Sequence, residues 1–340
     1  MIVPESRRAS TRNSRPRVVV LDDWNDVYGS SPHVERLQQR AEVAIYTDPA
    51  PSEDTTLQRL AGAAIAVANR ERTRFGAALL EALPDLELIA QTGDGVQHID
   101  VKAATACGVL ISTTPGGSTT GMVELTIGMM IAAMRRFAEQ DRALRAGNWP
   151  LWVGQSLEGK TLGIVGLGRI GKTVARAAQS FGMRVLASGI SLTPERAQES
   201  GVEYRDLDDL FAESDVVSIH LKLSDRSRGL ITAAHLSKMK PTAVLVNTAR
   251  GPIVDEGALV GALKSRRIAG AALDVYDQEP LPPDHPLLSC ETALLAAHCG
   301  WVTDTSYERF ISGIVENIES YLDGQPQHVV NPEAAAALKV

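Results

Sequence analysis

The chain has 340 residues, of which 44% are hydrophobic and 22% charged, and its formal net charge is -7 at pH 7. That length allows two domains of ordinary size, the composition is globular, and the negative balance argues against nucleic acid as the main partner. Three cysteines, Cys107, Cys290 and Cys299, have neither pairing nor metal-ligand spacing. The longest apolar stretch, Met122 to Met134, is broken by Glu124 and Thr126 and falls short of the roughly 18 residues of a membrane span. No metal, no membrane and a reduced, cytoplasmic setting are therefore expected.

Met1–Pro16 carries Arg7, Arg8, Arg12 and Arg15 among serines, lacks the apolar core of a secretory signal, and reads as a disordered tail. Arg17–Leu21 reads as a first strand, followed by the acidic turn Asp22-Asp23. Further strands are predicted at Val43–Tyr46, Ala64–Val67, Glu87–Gln91 and Val109–Ser112, with helices such as Thr55–Leu60 and Ala77–Leu83 between them. Such alternation predicts a parallel sheet covered by helices. Thr114-Pro115-Gly116-Gly117 breaks the pattern as a hinge. One long helix, rich in Met, Ala, Leu and Ile, is predicted from Thr119 to Ala146, with Gly147 as its stop.

A second alternating series begins with the apolar run Leu162–Val165, which leads into Gly166-Leu167-Gly168-Arg169-Ile170-Gly171. The glycines fall in the Gly-x-Gly-x-x-Gly pattern. The first allows a tight turn, the second lets a pyrophosphate approach the backbone, and the third lets helix pack on strand. The helix expected over Lys172–Phe181 would aim its first N–H groups at that phosphate. Strands follow at Arg184–Ala187, Val216–His220, Ala243–Asn247, Ala269–Leu273 and Ala293–Leu295. A last helix is expected over Thr303–Leu322, and a frayed end at Ala334–Ala337.

Three motifs sit just after strands of this second sheet, where open α/β sheets bind their ligands. They are Asn247-Thr248-Ala249-Arg250-Gly251, Asp274-Val275-Tyr276-Asp277-Gln278-Glu279-Pro280 and Ala297-His298-Cys299-Gly300-Trp301. Arginine offers a planar fork for a carboxylate, and histidine titrates near neutrality and passes a proton. A glutamate beside the histidine would orient its ring and favour its protonated form. Singly, Arg250 suits a surface cap, Glu279 a solvated loop and His298 a satisfied core position. Their shared placement downstream of a dinucleotide turn favours catalysis.

With these motifs in view, the sequence resembles the D-isomer-specific 2-hydroxyacid dehydrogenases, a family that includes phosphoglycerate, glycerate, glyoxylate/hydroxypyruvate and D-lactate dehydrogenases. The resemblance is carried by the three motifs above and by Thr92-Gly93-Asp94-Gly95-Val96 with Ile99-Asp100. It extends through Thr114-Pro115-Gly116-Gly117, Val123-Glu124-Leu125, Gly159–Gly163, Ser218-Ile219-His220-Leu221, Arg228–Ile231 and Val329–Glu333. It implies two doubly wound parallel-sheet domains. A Rossmann NAD(P)-binding domain, 114–302, is inserted into a flavodoxin-like substrate domain, 17–113 plus 303–340, with the active site in the cleft. It implies that Arg250 holds the substrate carboxylate, that His298 moves the proton, and that Glu279 pairs with His298. Asp274 would contact the nicotinamide carboxamide, and the backbone of Asp94 and Gly95 would help hold the substrate carboxylate. The expected cofactor set is Gly166, Gly168, Arg169, Ile170, Gly171, Ser188, Gly189, His220, Lys222, Thr248 and Asp274. The expected partners are NAD or NADP, a small 2-hydroxy or 2-oxo acid, and a second copy of the chain packed around Met122–Met134.

The sequence departs from the family pattern in places. Gly189 stands where an acidic residue usually binds the adenosine ribose, and Lys222 where proline is common, which leaves NAD and NADP evenly weighted. Leu125 replaces a frequent histidine. Arg70 or Arg72, in Asn69-Arg70-Glu71-Arg72-Thr73, is a candidate for a second anionic group of the substrate, with Arg72 placed in the substrate set. Glutamine in place of Glu279 would mark a formate enzyme. A phosphite dehydrogenase and an NAD(H)-sensing corepressor remain as alternatives.

Overall fold

The computed structural model describes residues 15–337. The chain forms two compact units: one runs to Ser118 and resumes at Thr303, and the other is Thr119–Val302. The expectation for Met1–Pro16 lies almost wholly outside the described residues.

In the first unit β1 (Arg17–Val20), β2 (Glu42–Ile45), β3 (Ile65–Ala68), β4 (Leu88–Gln91) and β5 (Leu110–Thr113) form a parallel sheet in the order β2-β1-β3-β4-β5. β1, β3 and β4 are short apolar runs buried on both faces, as a parallel strand between helical layers must be. One face packs on the helix Asp304–Leu322, whose Ile311, Ile314, Val315 and Ile318 recur at helical spacing and join the core of Val18, Val20, Ile65 and Leu88. Thr303 caps this helix, its hydroxyl accepting the Ser306 N–H at 3.1 Å. The chain end then returns to β5. Val329 bridges Ser112, and the buried Asn331 side chain accepts the Ile111 N–H at 2.8 Å and donates to Val109 O at 2.9 Å. Ala334–Ala337 forms a helical turn, not a frayed end, because Ala334 is fully buried in this core. Thr114 also groups with this unit, its hydroxyl accepting the Gly93 N–H at 2.8 Å.

The second unit contains β6 (Thr161–Val165), β7 (Arg184–Ser188), β8 (Glu203–Tyr204), β9 (Val216–Ile219), β10 (Val244–Asn247), β11 (Gly270–Leu273) and β12 (Ala293–Leu295). All pair in parallel, in the order β12-β11-β10-β9-β6-β7-β8. The order reverses between β6 and β9, the position at which doubly wound sheets bind dinucleotides. The two units are thus a Rossmann domain and the flavodoxin-like domain into which it is inserted.

The expected helix Thr119–Ala146 is instead two, Thr119–Met134 and Phe137–Arg145, separated by Arg136 in the left-handed region at φ 57°. The break coincides with the end of the apolar run. Met129, Met130 and Met134 are buried on a helix that packs against β10, β11 and the helix Arg169–Ser180, whereas the second helix buries no residue. Arg136 is tied by Glu139 and lies 4.3 Å over the Trp152 ring. Part of the apolarity of Met122–Met134 is therefore used inside the unit, while Met122, Leu125, Ile127 and Ile131 stay partly exposed.

Candidate active site

The glycine turn follows β6, and each of its glycines has a separate reason. Gly166 has φ 105°, and a Cβ there would press on the His220 backbone. A Cβ on Gly171 would collide with the Gly166 carbonyl, so this glycine sets the approach of helix to strand. Gly168 is the N-cap of the helix Arg169–Ser180 and has nothing within 4 Å of its Cβ position. Open space above the first N–H groups of a 12-residue helix is what a pyrophosphate requires. The residues present fit a dinucleotide.

Other members of the expected cofactor set surround this turn. Ser188 ends β7 and its carbonyl accepts the Gly166 N–H at 2.8 Å. Gly189 follows, with ordinary contacts at its Cβ position, Leu192 Cβ at 3.4 Å and Gly166 Cα at 3.7 Å. Arg226 donates to Ile190 O at 3.2 Å and Arg196 to Ser191 O at 2.9 Å, so two exposed arginines, both overlooked in the sequence, hang on the loop after Gly189. Lys222 is exposed in the loop after β9. His220 lies 2.9 Å from Ser218 Oγ, and burial pushes its pKa down to about 4, so it is neutral at physiological pH. Thr248 is buried with its hydroxyl 2.9 Å from that of Thr126.

The three catalytic candidates come from consecutive strands. After β10, the Asn247 side chain accepts the Ala249 N–H at 3.0 Å and donates to Arg250 O at 3.1 Å, shaping the turn that presents Arg250. Gly251 is required next, since a Cβ would strike the Tyr276 backbone of the loop after β11. On that loop Glu279 accepts the Tyr276 N–H on Oε1 at 2.9 Å and faces His298 Nδ1 with Oε2 at 2.6 Å. Burial alone would raise the Glu279 pKa. The His298 bond and charge, the Tyr276 N–H and the Arg250 charge outweigh it and hold the carboxyl below its ordinary range. An ionised Glu279 can only accept, so Nδ1 carries a proton, and Nε2 is the atom left to give or take one.

His298 itself has φ 50°, a left-handed conformation that a non-glycine residue holds only under constraint. The constraint is Asp274. Its fully buried carboxylate accepts the Cys299 N–H at 2.8 Å and the Gly300 N–H at 3.0 Å, fastening the two residues after His298. Burial raises the Asp274 pKa, against the pull of these two N–H groups. Its expected contact was with the nicotinamide; holding the histidine loop is a role not read from sequence. A Cβ on Gly300 would meet Met122 Sδ at 2.6 Å and Leu125 Cδ2 at 3.0 Å, so Leu125 supplies packing under the same loop.

In the first unit, Thr92–Gly95 follows β4. Arg70, left-handed at φ 59°, accepts positioning from Thr92, whose hydroxyl takes its N–H at 2.7 Å, and its guanidinium occupies the space a Gly93 side chain would need. Glu71, passed over in the sequence, fills the equivalent space at Gly95. Arg72, the arginine placed in the substrate set, turns elsewhere. It donates to Asp22 O at 2.6 Å, lies 4.0 Å over the Trp24 ring, and lines a cavity of about 490 Å³ to which Thr92–Gly95 does not contribute. Arg70, not Arg72, is the arginine at the glycine loop.

A glycine turn leading into a helix at the switch point, with a hydrogen-bonded glutamate–histidine pair and an arginine on neighbouring strand ends, fits an NAD(P)-dependent dehydrogenase. The family described as D-isomer specific 2-hydroxyacid dehydrogenase, NAD binding domain, matches residues 127–300. A glyoxylate reductase of Aeropyrum pernix is 40% identical over 329 residues, 94% of this chain and 97% of that one. A phosphoglycerate oxidoreductase from Vibrio cholerae superposes with a TM-score of 0.82 at 35% identity, covering 91% of this chain and 99% of its own. An acyclic imino acid reductase solved with NADPH and D-Arg superposes at 0.79 with 27% identity, covering 92% and 99%. The chain belongs to the D-isomer-specific 2-hydroxyacid dehydrogenase family, and its cofactor is NAD or NADP.

Proposed function

We propose that the chain reduces small 2-oxo acids, of the glyoxylate, hydroxypyruvate or phosphohydroxypyruvate kind, to D-2-hydroxy acids in the cytoplasm, and catalyses the reverse oxidation. The observation that carries this reading is the 2.6 Å contact between His298 Nδ1 and Glu279 Oε2, on strand ends adjoining Arg250. Arg250 binds the substrate carboxylate and polarises the 2-oxo group through its fork. His298 Nε2 gives a proton to the carbonyl oxygen in reduction and removes it in oxidation, while Glu279 keeps the ring oriented and its charged form stable. A bound nicotinamide supplies or accepts the hydride at C4. The Asp94 and Gly95 backbone helps hold the carboxylate.

Steady-state turnover of a panel of 2-oxo acids, with phosphite as a further substrate and both reduced or oxidised cofactors, tests the reading. Turnover of a 2-oxo acid supports it. Turnover of phosphite alone, or tight cofactor binding without any turnover, overturns it in favour of a phosphite dehydrogenase or a sensor.

The loop after β7 supports use of NADP beside NAD. Gly189 presents no carboxylate to repel a 2′-phosphate, and Arg196 and Arg226 are tethered to the next two carbonyls. The two cofactors are expected to differ by no more than about tenfold in kcat/KM. Gly189→Asp, whose Cβ would make only ordinary contacts, should shift preference towards NADH by roughly tenfold or more. A wild-type preference for NADH of several orders of magnitude would show that Gly189 does not govern the choice.

A homodimer is also expected, with the segment after Met122–Met134 adding to its surface. Trp149, Leu151 and Val153 are 81%, 85% and 95% exposed, and Phe137 and Leu144, earlier in the same segment, are half-exposed. So many exposed apolar side chains in one segment fit a second copy. Light scattering at micromolar concentration should give the mass of two chains, and Trp149→Ser with Val153→Asp should halve it; a monomeric wild type rejects the dimer.

A further inference from the structure

We propose that His98 is a positioning residue for the substrate-carboxylate loop, acting as a neutral Nε2–H donor through Gln91. The proposal rests on the dehydrogenase reading only in naming what that loop holds.

Gln91 ends β4 and is fully buried. Its side-chain nitrogen lies 3.1 Å from Arg70 O and 2.8 Å from Thr92 O, two carbonyls that can only accept. Those contacts settle which end of the amide is nitrogen, so the oxygen faces His98 Nε2, 3.1 Å away. An amide oxygen can only accept, so His98 Nε2 carries the hydrogen. Nδ1, buried and without a partner, then has a bare lone pair, and burial of the ring lowers its pKa against the opposing charge of Glu71 and with that of Arg70.

The chain of contacts has a direction. His98 holds the Gln91 amide, and Gln91 clamps the carbonyls of Arg70 and Thr92. The clamp on Arg70 O helps keep that residue left-handed, which places its guanidinium at Gly93. The Thr92 clamp fixes the first peptide of the Gly93–Gly95 loop. A hydrogen bond to His98 made through Nε2–H also survives protonation of Nδ1, so the clamp persists on either side of the histidine's titration. An acceptor role would be lost in acid.

The test uses the full chain and three variants. Nitrogen-15 spectra of histidine-labelled protein near neutral pH should contain an Nε2–H tautomer that disappears in His98→Leu. Finding the lost signal to be an Nδ1–H tautomer overturns the proposal. In kinetics, His98→Leu should raise KM for the 2-oxo acid about tenfold or more, the scale set by a buried acceptor losing its donor, with kcat within a few-fold. His98→Gln restores a donor at nearly the same reach and should recover most of the loss, whereas His98→Glu should not. NADH affinity, read by fluorescence, should be unchanged in all three, which separates a misfolded chain from a misplaced loop. A KM that stays put in His98→Leu, or a fall confined to kcat, overturns the proposal. Wild-type protein that turns over no 2-oxo acid sinks the dehydrogenase reading instead, and the tautomer result still decides the hydrogen-bond assignment.

Discussion

Arg250→Ala is expected to lower kcat/KM for 2-oxo acids by about a thousandfold. On the proposed mechanism the fork supplies two charge-assisted hydrogen bonds to the substrate. Bonds to charged groups are worth about 1.5–3 kcal/mol each, and 1.4 kcal/mol is tenfold in rate. The loss should fall on both kcat and KM, because the same guanidinium anchors the carboxylate and polarises the reacting carbonyl. Arg250→Lys keeps the charge but not the planar fork and should recover only part of the activity. The glycine turn is untouched in both, so NADH should still bind as in the wild type. A substituted enzyme within a few-fold of wild type in steady-state kinetics would remove Arg250 from the carboxylate site.

The second large effect is on pH dependence. Glu279 has its pKa lowered, so it is ionised throughout the neutral range, and the stabilisation it gives His298 is present above the ordinary carboxyl value and lost only as pH falls through the lowered one. Reduction needs a protonated His298. Turnover should therefore hold across the neutral range and fall on the acid side, as pH drops through the lowered Glu279 value and the carboxyl gains its proton. Glu279→Gln removes the titrating carboxyl together with its negative charge and should abolish that acid-side transition. The substitution has a cost that the geometry makes explicit. Glu279 accepts from two donors, Tyr276 N–H and His298 Nδ1–H, and a glutamine has one acceptor oxygen for both. Overall rate should therefore drop as well, and the loss of the acid-side transition, not the amplitude, is the informative reading. An acid-side transition that persists in the variant would mean that Glu279 does not control the histidine.

Most strands, and the strand-end placement of Arg250, Glu279 and His298, were legible in the sequence because a buried parallel strand is a short apolar run and its ligand-facing end is where polar motifs appear. What was missed has physical causes. β8 is a two-residue edge strand, Glu203–Tyr204, with no apolar run to announce it. The helix Pro32–Gln38 buries only Val34 and Leu37, too few for a clear period, and Val101–Ala106 is a single capped turn and a half. The break at Arg136 depends on a guanidinium meeting Trp152, a contact no local propensity encodes. The same limit applies inside the site. Asp274 acts on Cys299 and Gly300, which lie 25 and 26 residues further on, and Gln91 acts on Arg70, 21 residues earlier. Residue type and spacing point to groups that meet a substrate. The groups that hold them in place become visible only when strands are laid side by side. The alternation among Arg70, Glu71 and Arg72 shows this directly: three charged neighbours look equivalent in sequence, and the left-handed turn at Arg70 sends them to different places.

The order of the second sheet also bears on how such a chain changes over time. The loops after β6, β7 and β9 form the glycine turn and its surroundings, whereas those after β10, β11 and β12 carry the groups proposed for proton transfer and anchoring. Selection can therefore act on the two halves separately. If residue 189 and the arginines beside it select the cofactor as proposed, a change confined to them would alter which pyridine-nucleotide pool the protein draws electrons from, tying it to biosynthetic reducing power or to catabolic redox balance. The Glu279–His298 pair, on strand ends at the far side of the sheet, would pass through that change intact.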